Sequence, residues 1–110
     1  MSDREKLRRL AEVSSLMLDT KMLVLEKAAR ARQNSLDRLA ELNQPATPTD
    51  LPLILAGEVA MRYQLWADQR RSEVNLILAR QTAEWAEARQ DAALAFGRNQ
   101  VVHKLQERQK

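Results

Sequence analysis

The chain contains no cysteine. A disulfide framework and a thiolate metal site are therefore excluded, and a reducing compartment is the simpler setting. Glycine and proline are scarce, with 2 and 3 residues, and there is one Tyr and one Phe. A sandwich, a barrel or a βαβ fold needs more turn-formers and more aromatic or β-branched residues than this. No apolar run approaches the ~18 residues of a membrane span, so no integral membrane segment is expected. The first residues, Met1-Ser2-Asp3-Arg4-Glu5-Lys6, lead into charged sequence and not into the apolar region of a signal peptide. A cytoplasmic location is expected.

What remains is helix-forming. The 110 residues fit one domain, and 30% of them are charged against 45% apolar. Alanine, leucine, glutamate, glutamine, arginine and lysine dominate, which is the composition of long helices. The net charge is only +3. Residues 1–44 hold nine basic and seven acidic side chains, and residues 45–110 hold nine and eight. Such mixing describes solvated helix faces and not a phosphate-binding stripe, so no nucleic-acid partner is expected. One local basic excess occurs after Ala95, with Arg98, Lys104, Arg108 and Lys110 against Glu107.

All three prolines fall between Pro45 and Pro52. Each removes a backbone donor and biases its predecessor away from helix, so no helix passes through them. The sequence predicts one helix over about 3–43, a loop over 44–50 and a second helix over about 51–108. Ser2 and Glu5 have capping-box spacing. Asp3 and Glu5 suit the positive end of the helix dipole. Thr49 or Asp50 can cap the second helix, with Pro52 in its first turn.

Apolar residues recur in steps of three and four along both helices, the pattern of a coiled-coil seam. The first seam reads Leu7, Ala11, Ser14, Leu18, Met22, Leu25, Ala29, Arg32, Leu36 and Leu39. The second reads Ala60, Tyr63, Ala67, Arg70, Val74, Ile77, Gln81, Trp85, Ala88, Ala92, Ala95, Asn99 and Val102. The consecutive fours at Ile77-Gln81-Trp85 resemble a stutter. Ser14, Arg32, Arg70, Gln81 and Asn99 interrupt the seams. Polar seam residues can set register, or can lie at the seam edge and reach water.

A short loop between two helices favours an antiparallel hairpin. The expected fold is all-α, a long antiparallel two-helix coiled-coil hairpin whose second helix is longer than the first. Folding about Ala46–Thr47 sets Thr20 near Asn75 and Asp3 near Ala92. It leaves residues from about Leu94 to the end without a partner.

Apolar residues exceed what a two-helix seam can cover. Leu16-Met17-Leu18 and Met22-Leu23-Val24-Leu25 are apolar nearly all round. In the expected register they face Leu65-Trp66 and Val74, with Leu76-Ile77-Leu78. Leu51, Leu53, Ile54, Leu55 and Val59 crowd the start of the second helix, opposite Leu36, Leu39 and Leu42. Phe96, Val101, Val102 and Leu105 lie on the basic final segment. Candidate partner-binding residues are therefore Leu16, Leu23, Leu65, Trp66, Leu76, Leu53, Ile54, Phe96, Val101 and Leu105. The surplus fits a homodimeric four-helix bundle or a different protein partner, while scattered exposed leucines need no special role.

Side chains for catalysis are sparse. The lone His103 has Glu107 four residues on, and two ligands do not make a zinc site. The carboxylates Glu84, Glu87 and Asp91 lie on a helix with no expected cavity to shift their pKa values. Ser14 and Ser15 lack a base, and no glycine-rich phosphate loop is present. Trp66 and Trp85 lack the basic surround of a nucleic-acid stacking platform. No enzyme activity, cofactor or metal is expected.

The second helix reads Arg62-Tyr63-Gln64-Leu65-Trp66-Ala67-Asp68-Gln69-Arg70-Arg71, then Glu73-Val74-Asn75-Leu76-Ile77-Leu78-Ala79-Arg80-Gln81, then Ala95-Phe96-Gly97-Arg98. This stretch resembles the small coiled-coil proteins of flagellar and type III secretion gene clusters, the FliJ/YscO-like family. The resemblance is sharpest over residues 62–98. It implies a non-enzymatic stalk or adaptor of a protein-export apparatus. Its partners would be the export ATPase ring, the cytoplasmic part of the export gate and export chaperones, held at the inner membrane through that complex. The alternative reading of the residues is a homodimeric helical-bundle scaffold or partner-binding module in the cytoplasm, unrelated to export.

Overall fold

The structure, a computed structural model, describes residues 2–44 and 52–109. It contains two helices, α1 (Asp3–Leu42) and α2 (Leu53–Arg108). At ~1.5 Å per residue, their 40 and 56 residues correspond to about 60 and about 84 Å of helix. The hairpin is all-α, and α2 is the longer arm. The capping choice of Thr49 or Asp50, and Leu51, lie outside the described residues.

Each helix end follows from local chemistry. The Glu5 amide donates to Ser2 Oγ at 3.2 Å, so the serine caps α1 as its spacing predicts. At the other end the turn tightens, with Asn43 N–H to Leu39 O at 3.1 Å and Gln44 N–H to Glu41 O at 3.2 Å. Pro52 precedes α2, where its missing donor costs nothing, and its carbonyl accepts from Ala56 N–H at 2.8 Å.

Packing divides the chain into two compact units. The first joins residues 1–30 to 83–110 and the second spans residues 31–82. In each, a stretch of α1 runs antiparallel to a stretch of α2. The first unit has a seam of small side chains: Ala11, Ser14, Ala88, Ala92 and Ala95 are buried, with Val102. Small residues let two helices approach closely but remove little apolar area from water. The second unit centres on Leu42, Ala67 and Val74, with Leu39 and Tyr63 packed on them.

The cross-helix pairs correct the expected register. Ser15 meets Asn99, Arg32 meets Thr82 and Asn43 meets Arg71. All three are symmetric about Gly57, not about Ala46–Thr47. Thr20 is therefore level with Leu94, not with Asn75. The slip is about nineteen residues, roughly 28 Å of helix. The final segment of α2 is consequently paired and not overhanging, and Arg4 Nη2 donates to Gln109 O at 3.1 Å. Among the described residues, the unpaired end is the start of α2. Leu42 reaches Ala67 and Tyr63, and of residues 53–62 only Ala56 is even half-buried. Leu39 and Leu42 thus face Tyr63–Val74 and not Leu53–Val59. By the same symmetry the apolar belt of residues 16–25 lies level with residues 89–98, and not with the 65–78 belt as expected.

The seam residues themselves are mostly those the periodicity selects. On α1, Met22 is the exception, being exposed. On α2, Ala60 is exposed, and Leu78 rather than Ile77 turns inward. The seam runs Arg70, Val74, Leu78 and Gln81, so the consecutive fours fall seven residues, about two turns, earlier than the sequence alone suggests.

Candidate protein-binding surfaces

Polar seam residues pair across the hairpin. Asn99 Nδ2 donates to Ser15 Oγ at 3.1 Å, and Arg32 Nε donates to Thr82 Oγ1 at 3.2 Å. Ser35 Oγ donates to Gln81 Oε1. Each bond is lost in any other alignment of the helices, so these residues hold the register. The other polar interruptions behave differently. Ser14 Oγ is buried with no partner, and Arg70 turns to Glu73 on its own helix.

Two arginines cap the opposite helix. No basic residue occurs in the last turn of α1, and α2 supplies one. Arg71 Nη2 donates to Leu42 O at 3.2 Å and Arg71 Nε to Asn43 Oδ1 at 2.9 Å, while Asp68 holds the remaining nitrogen. A cation here satisfies orphan carbonyls and meets the negative end of the dipole. Arg4 plays the same part for Gln109 at the end of α2. The arginines were not singled out by the sequence pattern, because a cap given across the hairpin has no fixed spacing.

All ten candidate residues are exposed, and they fall into separate groups. Leu53 (89% exposed) and Ile54 (80%) stand on the free start of α2, followed by Leu55, Val59 and Met61. Leu65, Trp66 and Leu76 lie on the outer side of the second unit. The Tyr63 and Trp66 rings meet at 5.8 Å with a 40° tilt. This links the buried cluster to the exposed ring, whose packing onto a partner would be supported from behind.

In the first unit, Leu23 borders a shallow hollow with Met22 and Leu25, rimmed by Asp19 and Glu26. Leu16 and Phe96 are exposed outside the seam. Val101 and Leu105 line a groove of about 720 Å³ between the two helices. The sequence reading missed its other walls, Leu10, Val13, Met17 and Leu94. The signal was present as a second row beside the seam, at 10, 13 and 17, but only the correct register brings it against 94, 101 and 105.

A second hollow, of about 740 Å³, is lined mostly by polar and charged residues, among them Arg4, Glu5, Arg8, His103 and Glu107, with Leu7. His103 Nδ1 is 2.8 Å from Asn99 O. A carbonyl only accepts, so Nδ1 carries the hydrogen. Among the described residues no group of three or more metal-ligating side chains occurs, and no helix is long and apolar enough to cross a membrane. Trp85 lies under the Arg89 guanidinium at 4.9 Å, a cation–π contact within one helix. The resources of the molecule are thus exposed apolar surface on register-locked helices, which suits binding of protein surfaces. No family model, curated protein or solved structure matches this chain.

Proposed function

We propose that the chain is a non-enzymatic coiled-coil adaptor, working as a stalk protein of a flagellar or type III protein-export apparatus in the cytoplasm. The observation that carries the protein-binding part is the start of α2. Leu53, Ile54, Val59, Met61, Leu65 and Trp66 are exposed there, with only Glu58 and Arg62 as charges in residues 53–66. So much apolar surface with so little charge is an interface awaiting cover. The likeness of residues 62–98 to FliJ/YscO-like proteins supplies the setting, with the export ATPase, the export gate and chaperones as partners. In that setting the polar seam pairs have a use, since a hairpin that cannot slip can transmit orientation between two partners.

The test is binding of the chain to a cognate export ATPase and to the cytoplasmic domain of the export gate, by co-sedimentation or size exclusion. Micromolar binding that Leu53→Ser with Leu65→Ser removes, at unchanged helix content, supports the reading. No binding to either partner across the micromolar range overturns it.

A further inference from the structure

The groove of the first unit has a composition that the monomer does not explain. The buried part of its seam is alanine and serine with Val102, and Leu7, Leu18, Leu25 and Trp85 are half-buried along it, whereas Leu10, Val13, Met17, Leu94, Val101 and Leu105 stand outside the seam and remain exposed. Six large apolar side chains thus line a groove beside the intramolecular seam. Gly97 lies in the same lining. It sits in the interior of α2, its φ is negative, and a Cβ added there meets nothing within 4 Å. A glycine in mid-helix weakens the helix, and nothing among the described residues requires its small size. Close approach of a second helix would.

Charge then identifies the occupant. The row Leu94, Arg98, Val101, Leu105 continues by the helical repeat to Asp91 and Glu87 at one end and to Arg108 at the other. The α1 row Leu10, Val13, Met17 continues to Lys6 at that same basic end. The groove is therefore acidic at one end of α2 and basic at the other, with an apolar stretch between that Arg98 interrupts. The two ends are complementary when two copies meet antiparallel and repel when they meet parallel, while Arg98 of each copy, beside the shared midpoint, must reach outward to water.

We propose that this face is a two-fold interface between two copies of the chain, with α2 crossing its counterpart at Gly97. In that arrangement Leu94 lies opposite Val101 of the second copy, and Glu87 opposite Arg108. Both pairs share one midpoint, between Gly97 and Arg98, as an isologous contact requires. The product is a four-helix bundle over the first unit, leaving the exposed start of α2 free. The proposal does not depend on the export setting, and its test uses the full chain alone.

Sedimentation equilibrium from about 1 to 300 μM measures it, with far-UV circular dichroism on every variant to confirm the helix. A monomer–dimer equilibrium within this range is expected. Gly97→Leu should raise the melting temperature of the dilute monomer yet weaken self-association, a split that a merely structural glycine would not produce. Glu87→Arg should weaken the dimer by roughly tenfold, from two like-charge contacts, and adding Arg108→Glu should restore it. Leu94→Ser with Val101→Ser should leave a helical monomer. A chain that is monomeric at all concentrations overturns the proposal and assigns the groove to another protein. A dimer indifferent to Gly97→Leu, or one that Arg108→Glu fails to restore, places the interface elsewhere and overturns it equally.

Discussion

Two buried serines offer a matched experiment. Ser14 and Ser35 are both on α1, both in the seam, and 8% and 9% exposed. Ser35 Oγ has Gln81 as its partner, whereas Ser14 Oγ has none. Replacing either by alanine removes one oxygen and gains about 0.5 kcal/mol of helix propensity. At Ser14 it also removes an unsatisfied buried hydroxyl, whose burial costs about 1–2 kcal/mol. At Ser35 it breaks a hydrogen bond worth about 1 kcal/mol net. Ser14→Ala should therefore stabilise the chain by about 1.5–2.5 kcal/mol, and Ser35→Ala should destabilise it by about 0.5 kcal/mol. For a chain of this size, 1 kcal/mol moves the midpoint by about 4–6 °C, so the two variants should separate by roughly 10 °C. Thermal unfolding followed at 222 nm, at one low concentration to keep assembly constant, measures the difference. Equal shifts in the same direction would refute the reasoning, because the shared propensity gain would then be the whole effect. A destabilised Ser14→Ala would mean that its hydroxyl has a partner and that the seam is wet.

Three further outcomes follow from the packing. Arg71→Ala should fray the last turn of α1 and cost about 1 kcal/mol, with amide exchange accelerating at Asn43 and Gln44 before the rest of the helix. Ala67 is 0% exposed, so Ala67→Leu should overpack the second unit and cost about 1–3 kcal/mol in urea unfolding. Gly57 has nothing within 4 Å of an added Cβ; Gly57→Ala should firm the start of α2 by about 1 kcal/mol, read as slower exchange there, and no change would imply that this turn is already held by other contacts.

The legible part of the fold was local. Seam residues such as Ala11, Leu18, Ala67, Val74 and Ala92 repeat at helical spacing, and the Ser2 cap depends on a neighbour three residues away. Exposure of Leu65 and Leu76 was legible for the same reason: they lie off the seam row. That of Leu53 and Ile54 comes from the register, which carries Leu39 and Leu42 to Tyr63–Val74. The stutter was displaced by seven residues because Ile77 and Leu78 are equally apolar and adjacent. Only contact with α1 chooses between them. The groove escaped notice because its walls come from both helices, and a wrong alignment places Leu10, Val13 and Met17 opposite other residues altogether.

Sequence alone determined that two long helices form, where proline parts them and which stripe each turns inward, because these depend on contacts within one turn of the chain. Tertiary structure decided how the stripes align, and with that which end of α2 is left bare. A seam repeating every three or four residues accepts its partner in many alignments of similar apolar burial. Only hydrogen bonds such as Ser15 with Asn99 and the Arg4 and Arg71 caps, each satisfiable in one alignment, tell those choices apart.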